Sequence, residues 1–319
     1  MAMMQLKAAL KDYIWGGTAL KERFGKQTDL DRVAESWELS CHADGPSVVM
    51  NGRHAGKTLA EALEAEGGAV LGKNCEGFAF FPVLIKLIDA KADLSIQVHP
   101  NDEYARRVEG GYGKTEMWYI VDCEPGARLY YGFQRQLERA ELERHITGNT
   151  LEGALNAVQV KKGDVFFIDA GTIHAIGAGI LIAEIQQNSN STYRVYDYGR
   201  LGADGKPRQL HVEKALDVTD TAPPHPTSKP GEPLVHEGYT QRLLSRCDYF
   251  TVHLAEIFGT ASFTADASSF HSVVCLSGEG VLSGKDERFA IRQGDSFFIP
   301  ANSGTYELAG TLTVVRTTV

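Results

Sequence analysis

Alternation at period two dominates the chain. In Ser95-Ile96-Gln97-Val98-His99 the polar side chains share one face, while Ile96 and Val98, with Leu94, form the other. The spacing predicts a strand over 94–99 with an apolar back, stopped by Pro100 and Asn101-Asp102. Lys114-Thr115-Glu116-Met117-Trp118-Tyr119-Ile120 reads the same way, with Lys114, Glu116 and Trp118 on one face. Asp164-Val165-Phe166-Phe167-Ile168 is a third strand, followed by Gly171-Thr172-Ile173-His174-Ala175. The run 80–88 predicts a buried strand with one odd member, Lys86. A lysine there is costly unless paired or open to a polar cavity; it either lines a pocket or sits at an edge with its head in water. Ile180, Ile182, Glu184 and Gln186 share a face of a strand over 180–187. A hairpin at 177–179 would bring Glu184 back toward His174, as an acceptor behind a ligand, a proton carrier or a solvated carboxylate.

Helical spacing is confined to short pieces. Leu59, Ala62, Leu63 and Ala69 oppose Glu61, Glu64 and Glu66, a surface helix closed by Gly67-Gly68. A helical turn is expected over 102–108, a charged amphipathic helix over 136–146 with His145 on its surface, and a short helix over 210–216. A tight turn falls at 204–207, and 219–233, rich in Pro, Thr and Ser, is the clearest linker. Beyond it Gly294-Asp295-Ser296-Phe297-Phe298-Ile299-Pro300-Ala301 echoes Gly163-Asp164-Val165-Phe166-Phe167-Ile168-Asp169-Ala170. Leu276-Ser277-Gly278-Glu279-Gly280-Val281 is expected to be strand, turn and strand, like 121–129. Two copies of one β unit, with short strands and glycine turns, favour an all-β barrel; a β-sandwich without a ligand cavity is the other possibility. Eleven residues after Gly163 stands His174, and eleven after Gly294 stands Thr305, a poor metal ligand. The second copy is therefore expected to lack a metal and to serve as a stabilising or dimerising lid, with His271 a strand histidine.

Composition narrows the classes. The chain has 319 residues, 43% hydrophobic and 23% charged, enough for a sizeable core and a prior of about two domains. A net charge of -9 argues against nucleic acid as a general partner. No apolar run approaches a membrane span, and residues 1–10 lack the apolar core of a secretory signal. Five scattered cysteines without a CxxC suit reduced thiols, hence a cytoplasmic location. His42 and His54 read as loop histidines. Trp15-Gly16-Gly17 is either a turn with a packed ring or a pocket border, and Trp37 carries the same ambiguity.

Two histidines, one carboxylate and an amide oxygen from separate strands would make a compact divalent-metal site. Gln97-Val98-His99-Pro100-Asn101-Asp102, Lys114-Thr115-Glu116-Met117-Trp118-Tyr119 and Gly171-Thr172-Ile173-His174-Ala175 resemble the zinc-site motifs of type I phosphomannose isomerases. Asn190-Ser191-Thr192-Tyr193-Arg194-Val195-Tyr196-Asp197-Tyr198 resembles that family's active-site arginine segment, and Tyr13-Ile14-Trp15-Gly16-Gly17 and Ala34-Glu35-Ser36-Trp37-Glu38 also fit. The length is similar to the short bacterial form, without the helical insertion of longer members. The Gly-Asp-apolar repeat resembles the cupin superfamily. The resemblance implies a mainly β fold of two cupin-like jelly-roll barrels: a catalytic, metal-binding domain over 1–220 and a C-terminal one over 234–319 without a metal site.

It further implies one Zn2+ per chain held by Gln97, His99, Glu116 and His174, and interconversion of mannose 6-phosphate and fructose 6-phosphate through a cis-enediol. Arg194 is expected in the catalytic pocket, gripping phosphate or stabilising the enediolate, although an arginine between Tyr193 and Tyr196 also suits a stacked structural cation. Lys114 and Glu184 are secondary catalytic candidates; Trp15, Lys86, Lys114 and Arg194 are the candidate sugar-phosphate contacts. The expected partner is a small sugar phosphate, with no nucleic acid or membrane, for a monomer or homodimer. Two competing accounts remain: a non-haem metal oxygenase, since two histidines and a carboxylate also describe that site, and a non-catalytic sugar-binding barrel.

Overall fold

The alternating segments pair antiparallel. A computed structural model describes residues 2–202, 205–224 and 230–319. Asp204 of the expected turn and 225–229 of the expected linker lie outside the described residues. Among these, the strands form sheets of ten, six and five. The six-stranded sheet runs Val165–Ile168, Glu116–Cys123, Ile180–Gln187, Val83–Ala90, Glu35–Leu39 and Ala9–Lys11. The five-stranded sheet runs Tyr193–Tyr196, Ile96–Val98, His174–Ala175, Arg128–Phe133 and Leu155–Gln159. The chain is mainly β, as its alternation predicts.

Each face of these sheets has an apolar cover. Ile88, Trp118, Ile120 and Ile182 of the larger sheet meet Leu129, Tyr131 and Ile176 from the smaller one and its edge, so one core lies between the two. Behind the smaller sheet, Ile96, Val98 and Phe133 are covered by Leu142 and Ile146 of helix Arg139–Thr147 and by Ala215 and Leu216 of helix Val212–Val218. Behind the larger one, Val83, Ile85, Leu87, Met117 and Ile185 pack on Val252, Phe270, Phe298 and Val315 of the ten-stranded side, and on helix Leu59–Glu66. Strands covered on both faces read as continuous hydrophobic runs, which is why Val83–Ala90 and Ile180–Gln187 are buried throughout. The ten-stranded sheet has its own interior of Ile257, Phe263, Val273, Phe297, Leu308 and Val314. The N-terminal strand Met4–Lys7 belongs to that sheet, pairing Gln5 with Phe297.

Three expectations change. Residues 276–281 are not strand, turn and strand: His271–Ser283 is one strand with a bulge between Cys275 and Ser277, because it stays paired to Gly304–Thr318 throughout. Residues 177–179 do not close a hairpin. His174–Ala175 and Ile180–Gln187 lie in different sheets, and the loop crosses between them. Its Gly177 lies so close to Arg128 that a Cβ would sit 1.9 Å from the carbonyl oxygen. The 80–88 strand starts only at Val83, since Pro82 lacks an N–H and Phe80 is 59% exposed.

Phe298 is fully buried where the ten-stranded side meets the six-stranded sheet, 5.0 Å from the Phe270 ring. Phe298→Ala is expected to lower stability by about 3–5 kcal/mol in urea unfolding, through the lost burial and the cavity left behind.

Candidate active site

The polar face of the Ile96–Val98 strand meets the Glu116–Cys123 and His174–Ala175 strands at one end of the core between the sheets. Pairing sets Gln97 opposite both His174 and Arg194. The residues after His99 anchor this end. Asn101 caps helix Asp102–Val108 by accepting from the Tyr104 N–H. Asp102 Oδ1 accepts from the Gly113 N–H at 2.8 Å, and Pro100 O accepts from the Lys114 N–H at 2.9 Å. Gly113 is packed so tightly that a Cβ would lie 2.5 Å from the Asn101 carbonyl carbon. The turn thus fixes how Lys114 and Glu116 enter the cavity.

His99, Glu116 and His174 converge. Glu116 Oε1 lies 3.7 Å from His99 Nε2 and 3.4 Å from His174 Nε2. All three are buried, with their ligand atoms within 4.8 Å of one another. Each imidazole is oriented from behind, His99 Nδ1 on Ser191 O at 2.8 Å and His174 Nδ1 on Thr172 O at 2.9 Å. A ring that donates through Nδ1 presents the Nε2 lone pair. Burial holds both rings neutral, His99 well below the usual histidine range and His174 at about 4. Burial, with the Glu184 charge, pushes Glu116 above the carboxylate range. His99 Nε2 and Glu116 Oε1 are buried without a hydrogen-bond partner, a costly arrangement unless a cation satisfies them. Tetrahedral zinc with bonds of about 2.0 Å spaces its donors about 3.3 Å apart, so the donor set fits such a cation. The Gln97 side chain lies beside them, its amide Nε2 3.4 Å from His174 Nε2.

The other predicted residues line a cavity of about 260 Å³, which Gln97 and Lys114 connect to this triad. Trp15, Lys86, Gln97, Lys114, Glu184 and Arg194 all border it. Lys86 is buried rather than at an edge, 3.6 Å from Glu35 and 3.2 Å from Glu184, with its ammonium 5.1 Å from the Trp37 ring. Burial alone would lower its pKa; the Glu35 and Glu184 charges outweigh that and raise it. Lys114 bridges Glu116 at 2.9 Å and Glu184 at 3.9 Å. Glu184 also accepts from Trp118 Nε1 at 2.9 Å. Although buried, it stays below the usual carboxylate range because Lys114 and Lys86 flank it. Trp37 is core, its indole N–H held by Glu35 at 2.7 Å.

Arg194 is half-buried and donates to Ser95 Oγ at 3.2 Å and Gln209 O at 3.0 Å. No carboxylate among the described residues pairs with it, so its charge is free to meet an anion. Sequence reasoning missed Glu35 and Arg208 as cavity residues. Arg208 reaches the cavity from a polar loop, aimed by buried Asp197, whose Oδ2 accepts from its Nε at 2.7 Å. Nothing in the local pattern around Arg208 marks it. His54, expected in a loop, is buried against Glu66 at 2.7 Å.

The comparisons with known proteins agree with this geometry. A family description for the phosphomannose isomerase type I catalytic domain matches residues 3–119, and one for the mannose-6-phosphate isomerase cupin domain matches 239–319. The mannose-6-phosphate isomerase ManA of Bacillus subtilis is 40% identical over 95% of this chain and 95% of its own. The chain belongs to the mannose-6-phosphate isomerase family. A second family member, from Streptococcus mutans, is 35% identical over 97% of this chain and 96% of its own. The crystal structure of the mannose 6-phosphate isomerase from Bacillus subtilis superposes with a TM-score of 0.93 at 38% identity, covering 100% of both chains. That structure thus shares this chain's fold end to end.

Lys86 separates two buried carboxylates, so its removal leaves them facing each other. Lys86→Met is expected to cost about 3 kcal/mol or more in chemical unfolding, because an uncompensated buried charge remains. Lys86→Met with Glu35→Gln should recover part of that loss.

Proposed function

We propose that this chain interconverts mannose 6-phosphate and fructose 6-phosphate, moving a proton between C1 and C2 through a cis-enediol with zinc bound. The observation that carries the reading is the buried His99–Glu116–His174 triad beside Gln97 and Lys114, which border a cationic cavity, in a chain of that family. Gln97, His99, Glu116 and His174 would hold one zinc per chain. Exchanging the Gln97 amide oxygen and nitrogen would turn Oε1 toward the triad and let Nε2 donate to Ser95 Oγ, now 3.3 Å from Oε1. When bound, the metal would supply a Lewis acid.

The chain's own groups do the rest. Negative charge develops on the substrate oxygens as the proton leaves, and fixed cations in a dry cavity stabilise it. Lys114, held by Glu116 and Glu184, is the ammonium nearest the triad. Arg194 and Arg208 make a cationic rim for the phosphate, with Ser95, Asn190 and Thr192 as neutral partners. Trp15 supplies an apolar wall. Glu184 acts as a positioning carboxylate, holding Lys86 and Lys114 by ion pairs.

The domain arrangement in this reading is two cupin-like barrels, over 1–220 and 234–319, with Met4–Lys7 reaching across as an arm. Among the described residues no helix is long and apolar enough to cross a membrane. With five free cysteines, the proposal is a cytoplasmic enzyme, monomeric or homodimeric.

A coupled assay for fructose 6-phosphate, started with mannose 6-phosphate, tests the reading. Chelation should lower the rate by on the order of 100-fold or more, with zinc restoring it, and Glu116→Gln should lose a similar amount together with the metal. Full turnover after verified metal removal, or in a metal-free Glu116→Gln variant, would contradict it.

A further inference from the structure

The two halves repeat one ladder, and the pairing aligns them residue against residue. In the first half Ile168 pairs with Glu116, Trp118 with Glu184, and Glu184 with Lys86. In the second half Ile299, five residues after Gly294 as Ile168 is five after Gly163, pairs with His271. Val273 then pairs with Arg316, and Arg316 with His253. His271, Arg316 and His253 therefore occupy the positions of Glu116, Glu184 and Lys86. Similarly, Phe263 pairs with Tyr306 as Gln97 does with His174. Thr305, which a count along the sequence sets opposite His174, is exposed, and Tyr306 is the inward residue beside it.

The side chains form a cluster. His271 Nδ1 lies 2.9 Å from the Tyr306 hydroxyl, and both residues are buried. The Arg316 guanidinium stands 4.9 Å from the Phe263 ring, whose centroid is 5.7 Å from that of Tyr306. Arg316 and His253 are half-buried, so solvent reaches them. Yet Arg316 Nε and His253 Nδ1 are buried atoms without a hydrogen-bond partner. Among the described residues no carboxylate forms an ion pair with Arg316. The acidic charge that reaches His271 comes from Asp266, which is exposed and bonded to Ser268. Arg246 adds positive charge beside His253.

We propose that this end of the ten-stranded sheet is a second small-molecule site, one that takes a phosphate-type oxyanion where the first half holds its cation. The unpartnered Arg316 Nε and His253 Nδ1, beside the bonded His271–Tyr306 pair, offer a tetrahedral anion donors from separate strands, whereas a flat carboxylate would use the guanidinium fork alone. The ligand is free phosphate or the phosphate group of a sugar phosphate.

The test is calorimetric titration of the full chain with inorganic phosphate, in an Arg194→Met background that weakens the first cavity's rim. Saturable binding of one phosphate per chain is expected there. Adding Arg316→Met should weaken it by about tenfold or more, the usual loss for a charge-assisted contact. Arg316→Met alone should leave the isomerase rate unchanged. Should Arg316→Met not fold, His253→Phe carries the same expectation. Mannose 6-phosphate displacing phosphate would identify the ligand as a phosphate monoester; failure to displace it would identify free phosphate, and both results require the site. No binding in the Arg194→Met chain, or binding that survives loss of Arg316 and of His253, would overturn the proposal.

Discussion

The structure depends on charge balance among buried groups. Glu35, Glu116 and Glu184 are three buried carboxylates, and Lys86 and Lys114 are the two ammonium groups that touch them. Carboxylate and ammonium alternate from Glu35 through Lys86, Glu184 and Lys114 to Glu116, and the last oxygen of that row, Glu116 Oε1, faces only the two imidazoles. One negative charge is left over where the rings present lone pairs. Burial answers part of that cost by raising the Glu116 pKa, and a bound cation would answer the rest. In the proposed reading the metal would belong to the fold's electrostatics as much as to the chemistry.

Much of this was legible in the sequence because the strands are amphipathic. The face containing Lys114, Glu116 and Trp118 was readable at period two, and so was the face containing Gln97 and His99. Asn101, the helix cap, and Asp102 after it were readable as a strand stop. What the pattern missed depends on pairing between distant strands. Lys86 looked ambiguous because its partners, Glu35 and Glu184, come from neighbouring strands far away in sequence. Glu184 was placed near the site by a hairpin that does not exist; it arrives because its strand pairs with Glu116–Cys123 in the other sheet. Arg208 sits in a polar loop, and only its pairing with buried Asp197 gives it a direction.

The repeat shows what a shared ladder constrains and what it leaves free. Both halves keep the Gly-Asp turn and the apolar strand after it, because those residues build the sheet. The inward polar positions are not bound by that requirement. In one half they are two glutamates and a lysine, and in the other two histidines and an arginine, a reversal of charge on the same backbone. The ten-stranded sheet is also a structural support, since it covers the back of the strands that hold Lys86, Glu116 and Glu184.

Zinc K-edge X-ray absorption on the full chain, with metal content measured on the same sample, tests the central claim most directly. The account predicts about one zinc per chain in a shell of nitrogen and oxygen at about 2.0–2.1 Å, with the outer scattering of two imidazoles and no sulfur. A chain that folds and turns over without stoichiometric metal, or a shell containing sulfur, would contradict it.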